Sequence, residues 1–249
     1  MEDIRLIRLD ETDSTNRFLR EYKGEEGRRM TVAMAAYQTN GRGQGSNSWE
    51  SERGQNLTFS VKTSPKGVPA NRQFVMLEAM AIAIRDVLST YADGITIKWP
   101  NDIYWRDRKI SGTLSECTIN RGVVKDCIIG TGININQTNF VSDAPNPVSL
   151  RQITGRETCV DEVLGKLTTH FLEQLDRVDA GDYDTIHAEY KSVLYRRNGS
   201  FGYRDADGEF CGEIETVGPS GHLVLRKENG EICKYAFKEV ECLVLPSNT

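Results

Sequence analysis

Hydrophobic and polar positions alternate loosely over residues 4–9, and residues 32–37 and 57–62 are apolar runs of strand length. These predict three strands. Between the first two, Asp13-Ser14-Thr15-Asn16 opens a short helix reaching Tyr22, because such side chains cap helix N-termini. Apolar residues at 74, 77, 81, 84, 88 and 91 repeat with the helical period, and Asp93-Gly94 ends that helix. Residues 95–99, 103–105 and 114–119 read as further strands. Residues 123–135 form another, apolar on both faces near its end, as a central strand is. Apolar residues at 160, 163, 164, 167, 171 and 175 mark a second long helix, with Thr158 and Asp161 as cap candidates. A third runs from 183 to 196.

Beyond Asn198-Gly199 the pattern changes. Asp207-Gly208, Ser220-Gly221 and Asn229-Gly230 punctuate short β-prone runs at hairpin spacing. The expected division is a domain over 1–198 and a small all-β barrel over 199–249. Strands and helices mix irregularly in the first part. That predicts an α+β fold with an antiparallel or mixed sheet rather than strict βαβ alternation.

Composition narrows the function. A chain of 249 residues, 38% hydrophobic, buries a core without disulfides or metals. No window approaches 18 consecutive apolar residues and the N-terminus lacks signal-peptide features, so a cytoplasmic protein is expected. The net charge of −5 argues against a duplex nucleic acid partner but leaves room for a local basic site. Cysteines 117, 127, 159, 211, 233 and 242 and histidines 170, 187 and 222 show no zinc spacing and read as reduced, mostly buried thiols and unrelated imidazoles.

Five clusters carry candidate chemistry. Gly41-Arg42-Gly43-Gln44-Gly45 opens a polar loop ending at Trp49. It is neither a dinucleotide fingerprint nor a P-loop. Its glycines let amides approach an anion, Arg42 adds charge, and Trp49 offers a surface for an adenine, although a plain surface loop explains it equally. Lys98-Trp99-Pro100-Asn101-Asp102 sits at a strand end, where Asp102 is either a magnesium ligand or a turn residue. Lys109-Ile110-Ser111-Gly112-Thr113-Leu114-Ser115-Glu116 places a lysine before a glycine-containing strand, a pattern that solvated surface lysines share. Gly130-Thr131-Gly132-Ile133-Asn134 interrupts an apolar strand with an asparagine that either braces the core or faces a ligand. Ser14-Thr15-Asn16 exceeds what capping requires and can grip a compact polar head group.

Together and in order, these strings resemble the biotin protein ligase family (biotin–[acetyl-CoA-carboxylase] ligase). The matching strings are Ser14-Thr15-Asn16, Gln38, Gly41-Arg42-Gly43 with Trp49, Lys98 to Asp102 unchanged, Lys109-x-x-Gly112-x-Leu114-x-Glu116, and Gly130 to Asn134. The resemblance implies a catalytic domain related to class II aminoacyl-tRNA synthetases and a C-terminal SH3-like barrel. It implies two steps: biotin and MgATP give biotinyl-5′-AMP, then a lysine of a biotin carboxyl carrier protein takes the biotinyl group.

By the same resemblance, Lys109 and Arg42 are catalytic. Ser14, Thr15, Asn16, Gln38, Arg42, Gly43, Gln44, Lys109 and Gly112 bind biotin. Arg42, Trp49, Asn101, Asp102, Lys109 and Asn134 bind ATP or the adenylate, and Asp102 is the candidate Mg2+ ligand. Two departures stand out: Gln44 replaces the family's second loop arginine, and Ser46 a later glycine. The motifs begin at residue 12, which leads to the expectation of a ligase without a DNA-binding repressor domain. Dimers are common in the family, so a homodimer fits. The rival readings are a lipoate ligase or lipoyl/octanoyl transferase of the same superfamily, and a non-catalytic biotin sensor.

Overall fold

The computed structural model describes residues 3–24, 27–41, 43, 48–142 and 146–243. Their larger sheet has seven strands: β1 (Ile4–Thr12), β2 (Met30–Gln38), β3 (Leu57–Thr63), β4 (Ile95–Lys98), β5 (Asp102–Trp105), β6 (Arg108–Asn120) and β7 (Val123–Ile133). The spatial order is β1-β2-β3-β7-β6-β5-β4. β1 and β2 are parallel and are joined through the helix α1 (Thr15–Glu21). All other neighbours are antiparallel, so the sheet is mixed, as the irregular alternation of elements predicts.

Helix α2 (Phe74–Ser89) is buried around nearly its whole circumference, including Met76, Ala79, Met80, Ala83 and Val87 as well as Ala81, Ile84 and Leu88. The period-based stripe captures only part of this. α2 lies between the sheet and two covering helices, α4 (Val160–Asp179) and α5 (Tyr183–Ser192), so both of its faces need apolar side chains. The short helix α3 (Leu150–Thr154) was not predicted. A reciprocal capping box starts it: Ser149 Oγ accepts from Gln152 N (3.3 Å), and Gln152 Oε1 accepts from Ser149 N (3.0 Å).

Two helix expectations are corrected. Thr158 and Asp161 do not cap α4. Its N-cap is Cys159, while Thr158 is tied through its backbone to the Asn136 carboxamide and Asp161 pairs with Arg8. The third helix stops at Ser192 rather than 196 because the next residues pair with the β4 edge. Ile97 N donates to Val193 O (3.0 Å) and Tyr195 N to Ile97 O (2.8 Å).

The C-terminal strands are β8 (Phe201–Asp205), β9 (Gly208–Val217), β10 (Leu223–Lys227), β11 (Ile232–Tyr235) and β12 (Glu241–Cys242). They form an antiparallel sheet in the order β11-β10-β9-β8-β12. Among the described residues the edges β11 and β12 do not pair. The small all-β element expected over 199–249 is seen as a five-stranded antiparallel sheet, without barrel closure among the described residues.

Among the described residues, three side-chain bonds join this sheet to the rest of the chain, from the turn after β4, from the segment after α5 and from α5 itself. Trp99 Nε1 donates to Gly221 O (2.8 Å), Arg196 Nη1 to Leu243 O (2.8 Å), and His187 Nε2 to Val217 O (2.9 Å). The other His187 nitrogen lies 2.6 Å from Oε1 of Glu78, a carboxyl only 2% exposed. Burial pushes that carboxyl above its ordinary range, and the His187 bond opposes the shift without cancelling it. Among the described residues no helix is long and apolar enough to cross a membrane.

Candidate active site

A cavity of about 960 Å³ opens over β3, β7, β6 and β5. Its floor is a stripe of small residues, because Gly112 pairs with Gly132 and Gly130 with both Leu114 and Ser60. Two of these glycines are required by close approach. A Cβ at Gly130 would lie 2.2 Å from Asn16 Oδ1, and one at Gly132 would lie 2.1 Å from the Trp49 indole. Leu114 adds an apolar surface to the wall.

One end of the cavity is uncharged and polar. The parallel register sets Thr12 beside Gln38, so Ser14-Thr15-Asn16 at the start of α1 meets the end of β2. Ser14 occupies the N-cap position, yet its side chain makes no capping bond. Capping therefore does not account for the triplet. Gln38 Oε1 accepts from Thr15 N (2.8 Å) and Thr15 Oγ1 (3.0 Å), which leaves its nitrogen as the end free for a ligand. Thr15 Oγ1 lies 2.6 Å from Ser60 Oγ, and Ser60 Oγ donates to Asn16 Oδ1 (2.6 Å). Asn16 Nδ2 donates to Glu116 Oε2 (3.3 Å), and Arg20 Nη2 donates to both oxygens of that carboxylate at 2.7 Å. Ser60, Arg20 and the bracing role of Glu116 are absent from the sequence-derived site. A serine inside an apolar strand carries no distinguishing signal, whereas full burial beside Thr15 and Asn16 does.

The other end is charged, and a β-bulge builds it. Ile103 pairs with Ser111 but Tyr104 pairs with Lys109, so Ile110 is the extra residue. The bulge reverses side-chain alternation. Ile110 goes into the core, and Lys109 joins Gly112 on the cavity face. Lys109 Nζ then lies 2.7 Å from Asp102 Oδ1. Lys109 also pairs through its backbone with the 146–148 segment: its N donates to Asn146 O and its O accepts from Val148 N, both at 2.9 Å.

The turn that presents Asp102 is held from both sides. Tyr190, fully buried, donates to Pro100 O (2.9 Å), and Asn101 Nδ2 donates to Thr113 O. Lys98 donates to Tyr104 Oη (3.0 Å). Burial pulls the Lys98 ammonium down, but Tyr104, Cys242 and Asp102 outweigh it and leave its pKa raised.

The sequence-derived residues Ser14, Thr15, Asn16, Gln38, Gly43, Trp49, Asn101, Asp102, Lys109, Gly112 and Asn134 all line this one cavity. Arg42 and Gln44 lie outside the described residues. Asn134 also braces the core, since its Nδ2 donates to Val148 O (3.2 Å). Residues of the C-terminal sheet region, including Leu223, Phe237 and Lys238, complete the rim. Among the described residues no group of three or more His, Cys, Asp or Glu side chains can hold a metal.

The fold is shared with a solved biotin protein ligase from Aquifex aeolicus in complex with biotin and ATP. The TM-score is 0.77 and the identity 25%, covering 95% of this chain and 97% of that one. Residues 9–134 match the biotin/lipoate A/B protein ligase family, and the chain belongs to that family. It is 27% identical over 232 residues to the bifunctional ligase/repressor BirA of Bacillus spizizenii, covering 90% of this chain and 70% of that protein. It is 27% identical over 233 residues to the biotin–[acetyl-CoA-carboxylase] ligase of Paracoccus denitrificans, covering 89% and 94% respectively.

Proposed function

We propose that the protein is a biotin protein ligase: it activates biotin with ATP as biotinyl-5′-AMP and passes the biotinyl group to a lysine of a biotin carboxyl carrier protein. The observation that carries this reading is one cavity with the Thr15–Asn16–Gln38–Ser60 network at one end and Lys109 at the other. Biotin's ureido ring has one carbonyl acceptor and two N–H donors, which suit such a network. The dithiolane of lipoate has neither a carbonyl nor N–H groups to offer such a network. The polar end therefore favours biotin within a family whose name covers both acids.

Biotin's carboxylate is a poor acyl donor until it becomes a mixed anhydride. Its oxygen attacks the α-phosphorus and pyrophosphate leaves, while negative charge grows on the non-bridging oxygens. Lys109 meets that charge, with Asp102 holding its ammonium in position. Mg2+ would enter as part of the MgATP substrate, with Asp102 as the candidate protein oxygen to hold it. Trp49 and Asn101 form the nucleotide side and Gly43 and Gly112 allow close approach, while the family resemblance assigns Arg42 to biotin and the adenylate and Gln44 to biotin. The acceptor amine then attacks the acyl carbon and AMP leaves.

We assign residues 1–198 as the catalytic domain and 199–249 as the family's SH3-like module, at work in a cytoplasmic, homodimeric enzyme. The deciding experiment is pyrophosphate exchange into ATP with biotin or lipoate. Biotin-dependent exchange is expected, and exchange driven by lipoate alone overturns the reading.

A further inference from the structure

Two thiols outside the proposed chemistry face each other across the sheet. Cys117 on β6 and Cys127 on β7 are direct partners in the antiparallel ladder. Such partners hold their Cα atoms about 4.5–5.5 Å apart, within the roughly 4.4–6.8 Å that a disulfide spans. Their sulfurs lie 2.8 Å apart, and Ser115 Oγ sits 3.3 Å from Cys127 Sγ and 3.8 Å from Cys117 Sγ.

The two thiols are not equivalent. Cys127 is 0% exposed, within the core under the helices, whereas Cys117 is part-exposed. The hydrogen bond from Cys127 holds the Cys117 thiol below its ordinary pKa, and that bond together with burial holds Cys127 well above its own. Cys117 thus has the attributes of an attacking thiolate, and Cys127 those of a resolving thiol that an external reagent does not reach directly.

We propose that Cys117 and Cys127 form a reversible oxidative modification site at which a small hydroperoxide converts the dithiol to an intrachain disulfide. The Cys117 thiolate attacks the terminal peroxide oxygen. The O–O bond breaks, and the leaving alkoxide or hydroxide takes up a proton as alcohol or water. The sulfenic acid left on Cys117 is then attacked by the Cys127 sulfur. The S–O bond breaks, and water leaves with the proton of Cys127. Two electrons pass from the dithiol to the peroxide. The new bond would fasten β6 to β7 one residue from Glu116, the carboxylate that braces Asn16. The inference is independent of the biotin reading.

The test is to expose the reduced full-length protein to stoichiometric hydrogen peroxide and digest it with trypsin without reduction. Arg121 and Lys125 separate the two cysteines in sequence, so the linked peptides identify the bond unambiguously. The expected product has lost two hydrogen atoms, links residues 117 and 127, and reverts with a dithiol reductant. Cys127→Ser is expected to stop at a sulfenic acid on Cys117 that a cyclic diketone traps, and Cys117→Ser to give neither product. The exposed Cys159 and Cys211 serve as internal controls in the wild-type digest, which needs no variant. Oxidation confined to those two, with Cys117 and Cys127 both still open to alkylation after denaturation, overturns the proposal.

Discussion

Asp102 and Lys109 meet across the β5–β6 hairpin with 2.7 Å between carboxylate oxygen and ammonium nitrogen. Both line the cavity, so the pair sets a cation there whose position the carboxylate fixes. Removing the cation, Lys109→Ala, is expected to slow adenylate formation about 10²–10³-fold, or roughly 3–4 kcal/mol. Asp102→Asn keeps the shape but loses the charge, and is expected to cost about 5–30-fold. Because the two act as a unit, the double variant should be no slower than Lys109→Ala alone. Single-turnover formation of biotinyl-AMP checks all three, and additive losses would separate the two residues.

Gly130 leaves the space that Asn16 fills. Gly130→Ala is expected to push the Asn16 carboxamide aside and break its bond to Ser60. A loss of about 1–3 kcal/mol follows, which is roughly 5–150-fold in biotin affinity. Calorimetric titration measures it, with circular dichroism as the check that the strand is intact. Unchanged affinity would remove Asn16 from the head-group site.

Trp99 connects the cavity rim to the C-terminal sheet through its bond to Gly221 and its ring contact with Phe237, centroids 6.3 Å apart. Trp99→Phe deletes the bond and keeps an aromatic ring. Biotin affinity is expected to stay within about twofold, while biotinyl transfer to a carrier protein slows by about 3–10-fold, equivalent to a hydrogen bond of roughly 1 kcal/mol. Weakened biotin binding with normal transfer would reverse the assignment of the C-terminal sheet.

Glu78 should make stability depend on pH. Its carboxyl is raised in the folded protein, so its contribution is fully present below the ordinary carboxylate pKa and declines as pH rises toward the raised value. Glu78→Gln removes this titration while its amide can still serve His187. Relative to wild type, the variant is expected to gain stability between about pH 4 and about pH 7. Urea unfolding at both values tests the sign, and a relative loss over that interval contradicts it.

Much of this site was legible as strings, and less of it as geometry. Ser14-Thr15-Asn16 stands out in the sequence because its side chains exceed what capping requires, whereas Gln38 and Lys109 are singled out only by the resemblance to the family. Lys109 and Gly112, three apart, cannot share a face of a regular strand, since alternation has period two. Only the bulge at Ile110 brings them together, and nothing in the string marks a bulge there. Ser60 was invisible because its importance arises from neighbours 44 and 45 residues away. The mixed sheet followed from the irregular order of elements. Helix α2 was under-read because a helix covered on both sides has no single stripe to find.

The crowding of Trp49 against Gly132 has an optical consequence. Two of the chain's three tryptophans, Trp49 and Trp99, line the cavity, and the Trp49 indole nitrogen is buried with no hydrogen-bond partner among the described residues. Trp105 lies apart, on a separate shallow pocket beside Tyr91 and Arg106. The ultraviolet emission of the protein is thus weighted toward the place where ligands would sit. An occupant that reorders the indoles or supplies an acceptor to Trp49 is expected to change that emission. The molecule carries a built-in, label-free gauge of its own occupancy.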